Sequence, residues 1–282
     1  VGKGRKIRGE VGTREIFINN VKYVLCFPIR EKNCSIFISA MDLTKIIEPV
    51  MRPSLISNAS PVRTVILDAG HGGDTGGVKG NRDLHMENEA TLDVVLRAKS
   101  LLEQNGYTVH LTRSRDKHIS IDESAAFANQ FTNAVFISVH FNKTFFPLSS
   151  SSLMLSRDSG AASGFQTFTL APRGVPLIDE KRVSYDNLDP YPGHTRDPEN
   201  IALATALHSS VLRQTGLIDC GINRGQFSVL RDIKIPSVLM EGGFVKYPLD
   251  KDLLASSQFL DSFARAILEG VDRYSLAISN PR

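Results

Sequence analysis

The sequence predicts an α/β fold: a mostly parallel sheet covered by helices on both faces, preceded by a small β-rich N-terminal domain. Two observations carry that expectation. From about residue 63, short apolar runs alternate with stretches of helical periodicity, the order of elements that builds a parallel sheet. Before residue 60, apolar and polar residues alternate one by one on either side of a turn dipeptide, as in a hairpin.

That hairpin is EIFINN followed by VKYVLCF, turning at Asn19-Asn20. SIFISAMDLTKIIEPV reads as a strand running into a short helix, with Asp42 or Thr44 near the cap. MRPSLISNASPVR, with its Pro, Ser and Asn, reads as a linker. Two units are therefore expected, residues 1–60 and 61–282. The first carries no cluster of titratable groups and is expected to be accessory. Its hairpin plus helix loosely resembles the short copper amine oxidase N-terminal-like domains, a likeness of pattern that implies no copper site. Cys26 and Cys34 are spaced either for a disulfide across a hairpin or to stand as free thiols, and Cys220 is expected to be a lone thiol.

In the second unit, TVILDAG is a buried strand ending in glycine. ENEATLDVVLRAKSLLEQNG follows as a helix, with Leu92, Val95, Leu96, Ala98, Leu101 and Leu102 on one face and Gly106 as its stop. YTVHLTR is the next strand, and SIDESAAFANQF a helix opened by Ser120 or Asp122. AVFISVH and GFQTFTL are strands three and four. PENIALATALHSSVLRQTG is a long helix with Pro198 in its first turn. FSVLRD and PSVLMEGGF read as two further strands, and a last helix runs from about Asp252 to Tyr274. Apart from GFQTFTL, residues 144–197 are rich in Ser, Pro, Gly and charge, and such a segment is either a lid beside an active site or passive surface.

Composition narrows the function classes. Of 282 residues, 41% are hydrophobic and 22% charged, the balance of an ordinary globular protein. No stretch approaches the ~18–20 uninterrupted apolar residues of a transmembrane segment. The net charge of +3, from 33 basic and 30 acidic residues, is too slight to predict a nucleic-acid partner. The basic arm VGKGRKIR is either solvated or helps approach an anionic surface. Because the chain opens on Val rather than Met, a signal peptide is expected to have been removed or to lie outside the given sequence.

Three acid–base residues close apolar strands: His71 after VILDAG, His140 after VFISV, and Glu241 after SVLM. Sites in open parallel sheets form beyond the carboxyl ends of the strands, where the loops converge. His71 sits among Gly70, Gly72, Gly73, Gly76 and Gly77, which allow tight turns, yet neither the GxGxxG nor the GxxxxGK[ST] phosphate pattern is present. Imidazoles beside bare backbone suit a metal. Hydrolytic zinc takes three protein ligands from His and carboxylate and leaves a fourth position to water. The third ligand then comes from the start of the first long helix, where Glu87 and Glu89 both qualify and His85 competes. A position at the first turn favours Glu87 modestly, because Glu89 points elsewhere on a helix. Asp68 either orients a ligand imidazole or caps the glycine turn, Asn142 is a candidate to line the site, and His194 is a lesser one.

These residues carry a resemblance. Asp68-Ala69-Gly70-His71-Gly72-Gly73, Glu87-Asn88, Ser138-Val139-His140-Phe141-Asn142 and Glu241-Gly242-Gly243-Phe244 occur in the order of the motifs of zinc-dependent N-acetylmuramoyl-L-alanine amidases of the type-3 class. GYTVHLTR, QTGL at 214–217 and FSVLRDIKIPSVLMEGGF agree as well, so the likeness spans about residues 63–274. It implies Zn2+ as cofactor, held by His71, Glu87 and His140, with Glu241 as general base and then general acid. It implies hydrolysis of the amide between N-acetylmuramic acid and L-alanine. The implied partners are peptidoglycan and an activator protein, and the implied location is periplasmic or in the cell wall outside the cell. Two alternatives stay open: a zinc peptidase cutting another stem bond, and a non-catalytic wall-binding homologue. Asn88 stands where the family usually has Lys, and VKYPLD replaces a common Ser-Asn pair; both departures bear on substrate preference. The large division-associated members carry a blocking helix in the long loop, whereas 144–197 shows no long amphipathic helix.

Overall fold

Asn19 and Asn20 both take positive φ, 52° and 68°, giving the two-residue turn whose twist matches a hairpin. They join β2 (Glu15–Ile18) to β3 (Val21–Val24), with Ile18 opposite Val21. β1 (Ile7–Gly9) pairs along the outer side of β2. The computed structural model describes residues 6–73, 82–142, 164–175, 177–179, 182–184, 189–244 and 252–279. A second hairpin, β4 (Arg30–Lys32) and β5 (Ser35–Phe37), turns at Asn33-Cys34. Cys34 is exposed in that turn while Cys26 is buried, and both are free thiols, as is Cys220. The disulfide alternative is therefore not the one adopted.

The helix after β5 starts at Ser39, whose hydroxyl accepts the amide hydrogen of Asp42. It runs from α1 (Ala40–Asp42) through a π-helical turn, Leu43–Ile47, into α2 (Glu48–Met51). Asp42 stands near that cap, as expected, though its side chain bonds elsewhere. The Asp42 carboxylate is buried and accepts the backbone N–H groups of Cys26 and Phe27 at 2.6 and 3.1 Å, tying the end of β3 to the helix. Thr44 donates to the Ala40 carbonyl within the helix.

The larger unit follows the predicted alternation: β6 (Thr64–Ala69), α3 (Arg82–Gln104), β7 (Thr108–Leu111), α4 (Ile121–Ala128), β8 (Ala134–Asn142) and β9 (Gly164–Leu170). A short hairpin follows, β10 (Leu177–Asp179) with β11 (Arg182–Ser184), then α5 (Asp197–Thr215), β12 (Ile218–Gly225), α6 (Ser228–Arg231), β13 (Ser237–Phe244) and α7 (Ser257–Ser279). The cap of α4 is Ser120, in a reciprocal capping box with Glu123. Three expectations change. FSVLRD forms no strand; its centre is the single turn α6, with Leu230 buried. The strand there is the more polar IDCGINRG, β12, which bulges between Asp219 and Ile222. The last helix begins at Ser257 rather than near Asp252, after a break at Ser256. The Ser-rich run at 148–152 lies outside the described residues, as does most of the expected lid.

Among the described residues, one sheet of nine strands runs β1-β2-β3-β12-β9-β13-β8-β6-β7. The pairs β3/β12, β12/β9, β13/β8, β8/β6 and β6/β7 are parallel, and β9/β13 is antiparallel. Period-two alternation splits the apolar strand residues between two faces. Val65, Leu67, Val135 and Ile137 enter the large core under α3, α5 and α7, while Ile66 and Phe136 enter a smaller one with Ala125, Leu230 and Leu239.

The boundary drawn at residue 60 marks no break in sheet or core. β3 pairs in parallel with β12, Tyr23 beside Ile222, and Ile16, Ile18, Tyr23 and Leu25 belong to the large core. Side chains reinforce the joint: Tyr23 donates its hydroxyl to Thr205 at 3.0 Å, and the Lys22 amide donates to Asp219 at 2.8 Å.

Candidate metal centre

β13, β8 and β6 are neighbours running the same way, so their carboxyl ends open on one crevice. His71 lies two residues beyond β6, and Glu241 stands directly beside His140 in the β13/β8 register. Glu87 comes from α3, which starts at Arg82; it therefore sits in the second turn rather than the first. Glu87 is buried and Glu89 exposed, the orientation expected of the pair.

His71, Glu87 and His140 place one ligand atom each within 4.8 Å of one another. His71 Nε2 lies 3.1 Å and His140 Nδ1 3.4 Å from Glu87 Oε1, and the two rings meet edge to face at 4.9 Å. Ligand atoms ~2.0–2.2 Å from one tetrahedral zinc stand roughly 3.3–3.6 Å apart, so the cluster already has nearly the right spacing. The donor set fits a metal in a second way. Glu87 Oε2 and Glu241 Oε2 are both buried with no hydrogen-bond partner among the described residues, and orphaned carboxylate oxygens are costly unless something cationic or protic completes them.

The electrostatics agree. Burial pushes the Glu87 carboxyl up, but hydrogen bonds from His140 and His71 overcome it and hold the group at about 2. Burial pushes the His140 imidazole down, and the Glu87 hydrogen bond together with the nearby Glu241 charge reverses this, to about 9. The metal-free centre thus holds protons where a cation would displace them. Glu241 is raised to about 8, chiefly by burial, with His140 pulling the other way and Glu87 adding repulsion. A carboxyl near neutrality can both take and give a proton.

The glycine loop accommodates this packing. A Cβ on Gly70 would meet the His140 ring, Nε2 at 2.5 Å. Gly70→Ala is expected to cost about 1–3 kcal/mol through overpacking and, by displacing His140, to weaken any metal binding at this candidate centre; urea denaturation and chelator competition check the two effects. His71 itself adopts a positive φ of 60°, a conformation that costs a non-glycine residue roughly 1–3 kcal/mol and is characteristic of functional sites.

The remaining candidates fall unevenly. Asp68 bonds hydroxyls: it accepts from Thr112 and Ser138 at 2.7 Å and from Ser124 at 3.4 Å. Asn142 donates to Gln166 at 3.4 Å. Gln166, on β9, stands beside Glu241 and is buried; GFQTFTL holds Thr167 and Thr169 as well, so nothing in the strand's sequence distinguishes it. His194 is away from the centre, donating from Nε2 to the Ala171 carbonyl and accepting the Tyr191 amide. His208 is buried between Thr167 and Asp219, His110 stacks on Phe131, and the His85 side chain lies outside the described residues. Arg113, which sequence reasoning did not single out, is buried beneath the glycine loop.

Fold and site together define an α/β protein with a candidate metal centre at the carboxyl edge of its sheet. The N-acetylmuramoyl-L-alanine amidase family pattern matches residues 65–273, and the chain belongs to that family. It is 26% identical over 211 residues to the sporulation-specific N-acetylmuramoyl-L-alanine amidase of Bacillus subtilis (strain 168), covering 74% of this chain and 67% of that protein. It is 27% identical over 222 residues to the probable cell wall amidase LytH of Staphylococcus epidermidis (strain ATCC 12228), covering 78% of this chain and 61% of that one. The chain thus spans about two thirds of the length of these relatives or less. Among solved structures, the catalytic domain of CwlV, an N-acetylmuramoyl-L-alanine amidase from Bacillus (Paenibacillus) polymyxa var. colistinus, superposes with a TM-score of 0.56 at 25% identity, covering 76% of this chain and 98% of that one.

Proposed function

We propose that this protein is a zinc-dependent hydrolase of the amide bond between N-acetylmuramic acid and L-alanine in peptidoglycan. The observation that supports it most is the cluster of His71, Glu87 and His140 with Glu241 on the adjacent strand. These three residues would hold the ion. Zinc in such a site lowers the pKa of a water and polarises a carbonyl. Glu241 takes the proton of the attacking water and delivers it to the departing amine, the double role open to a positioned carboxyl. The lactyl C–N bond breaks, a C–O bond forms, and the products are a lactyl carboxylate and a free L-alanine amine. Asn142 and Gln166, bonded to each other beside Glu241, orient the substrate's amide groups. Asp68, through Ser138 two residues before His140, steadies that strand end.

Such a substrate puts the proposed place of action outside the cytoplasmic membrane. No helix among the described residues is long and apolar enough to cross a membrane. An activator protein belongs to the same reading and is sought as a stimulation of sacculus digestion. The test is direct: purified protein should carry about one zinc per chain, and digestion of intact sacculi should release free L-alanine amino termini. New termini elsewhere in the peptide stem would instead favour the peptidase alternative. Intact sacculi after incubation with the zinc-loaded protein would favour the non-catalytic one.

A further inference from the structure

Two ligands of the centre come from segments with no sheet pairing of their own: His71 from the loop after β6 and Glu87 from α3. One buried side chain touches the backbone next to both. Arg113, just beyond β7, donates from Nε to the Ala69 carbonyl at 2.8 Å and from Nη2 to the carbonyls of Gly70 and Asn88, both at 2.9 Å. Gly70 immediately precedes His71, and Asn88 immediately follows Glu87. Thr91 closes the same node: its hydroxyl accepts from Arg113 at 3.0 Å and lies 3.0 and 3.2 Å from the Gly70 and Asn88 carbonyls. Further along the same segment, Asp116 accepts the Gly73 amide hydrogen at 2.7 Å, so the far side of the glycine loop is held as well.

We propose that Arg113 is a positioning residue for the metal centre, fixing His71 and Glu87 relative to each other through the Gly70 and Asn88 carbonyls. The guanidinium suits this task because its planar fork presents several donors at fixed angles. A lysine ammonium offers one point of charge on a flexible stem and cannot hold three carbonyls from two segments in one geometry. The His71 backbone conformation, with φ at 60°, needs such external restraint. The inference rests on the reading of this site as a zinc centre.

The experiment measures zinc affinity by chelator competition for wild type, Arg113→Lys, Thr91→Val and Val211→Ala, with the melting temperature of each metal-free protein. Partners that orient metal ligands typically contribute 10–100-fold in affinity, and Arg113→Lys is expected to lose about that much. Thr91→Val, nearly isosteric, is expected to lose several-fold in the same direction. Val211→Ala, on the buried face of α5 in the large core, should lower the melting temperature and leave affinity unchanged. Should Arg113→Lys fail to fold, Thr91→Val decides alone. Wild-type affinity in the folded variants, with the whole effect in the melting temperature, overturns the positioning role. Failure of the wild type to bind zinc overturns the metal reading, and this inference with it.

Discussion

Glu241→Gln is expected to lower amide hydrolysis by about 10²–10⁴-fold, the contribution of a positioned acid–base group, while zinc content stays at the wild-type level. Glutamine keeps the size and shape of the side chain and cannot accept the water's proton. The three ligand residues are untouched, and Glu241 lies beside His140 in register rather than among the clustered donors. Stability should change little. Burial raises the Glu241 carboxyl to about 8, so the native side chain is itself predominantly neutral near pH 7 in the metal-free protein, and a neutral amide replaces it at small cost. Sacculus digestion read as new L-alanine amino termini measures the rate, and elemental analysis measures the zinc. A variant digesting within about tenfold of wild type would assign the proton transfer elsewhere.

The positions of His71, His140 and Glu241 are legible in the sequence for a physical reason. A parallel strand buried on both faces is a continuous apolar run, so a titratable residue at its end stands out, and every such end lies on one edge of the sheet. Glu87 is harder, because the choice against Glu89 turns on where helix α3 begins. It begins at Arg82, five residues before Glu87, whereas the apolar periodicity that marks the helix in the sequence starts only after Glu87. β12 is missed because Asp219, Cys220, Gly221, Asn223 and Arg224 do not read as a strand. Their polarity is met by partners far away in sequence: Asp219 by His208 and the Lys22 amide, Arg224 by Asp197. Arg113 is illegible for the same reason, since its role lies in carbonyls 25 to 44 residues away.

The joint between the N-terminal strands and the sheet follows that pattern. Locally, residues 1–60 read as a unit with its own hairpin and helix, and both are present. What no local pattern displays is the pairing of β3 with β12, where Tyr23 meets Ile222, 199 positions on. We propose that residues 1–60 and 61–282 unfold as one cooperative body, because the core residues Ile16, Ile18, Tyr23 and Leu25 would be exposed if the strands detached.

Asp197→Ala is expected to destabilise the protein by about 3–5 kcal/mol, the cost of leaving a buried charge without its partner. Asp197 opens α5 and is ion-paired with Arg224 on β12, both side chains nearly inaccessible. Arg224 reaches further, donating to the Leu170 carbonyl on β9 and to the Lys45 carbonyl in the N-terminal helical segment. One guanidinium therefore joins four segments, and Lys45 adds its ammonium 3.5 Å from Asp197. Removing the carboxylate strands the guanidinium in a medium that cannot solvate it. Replacing both partners, Asp197→Leu with Arg224→Met, removes the stranded charge and should recover part of the loss. Recovery stays incomplete because the Leu170 and Lys45 carbonyls then lose the hydrogen bonds that Arg224 gives them, each worth about 1 kcal/mol. Urea denaturation of the metal-free protein, followed by circular dichroism, gives both numbers. A single transition shifted to lower urea in Asp197→Ala agrees with one cooperative body. An early transition confined to the N-terminal strands would instead mean that the boundary at residue 60 is a real division in stability, whatever the continuity of the sheet.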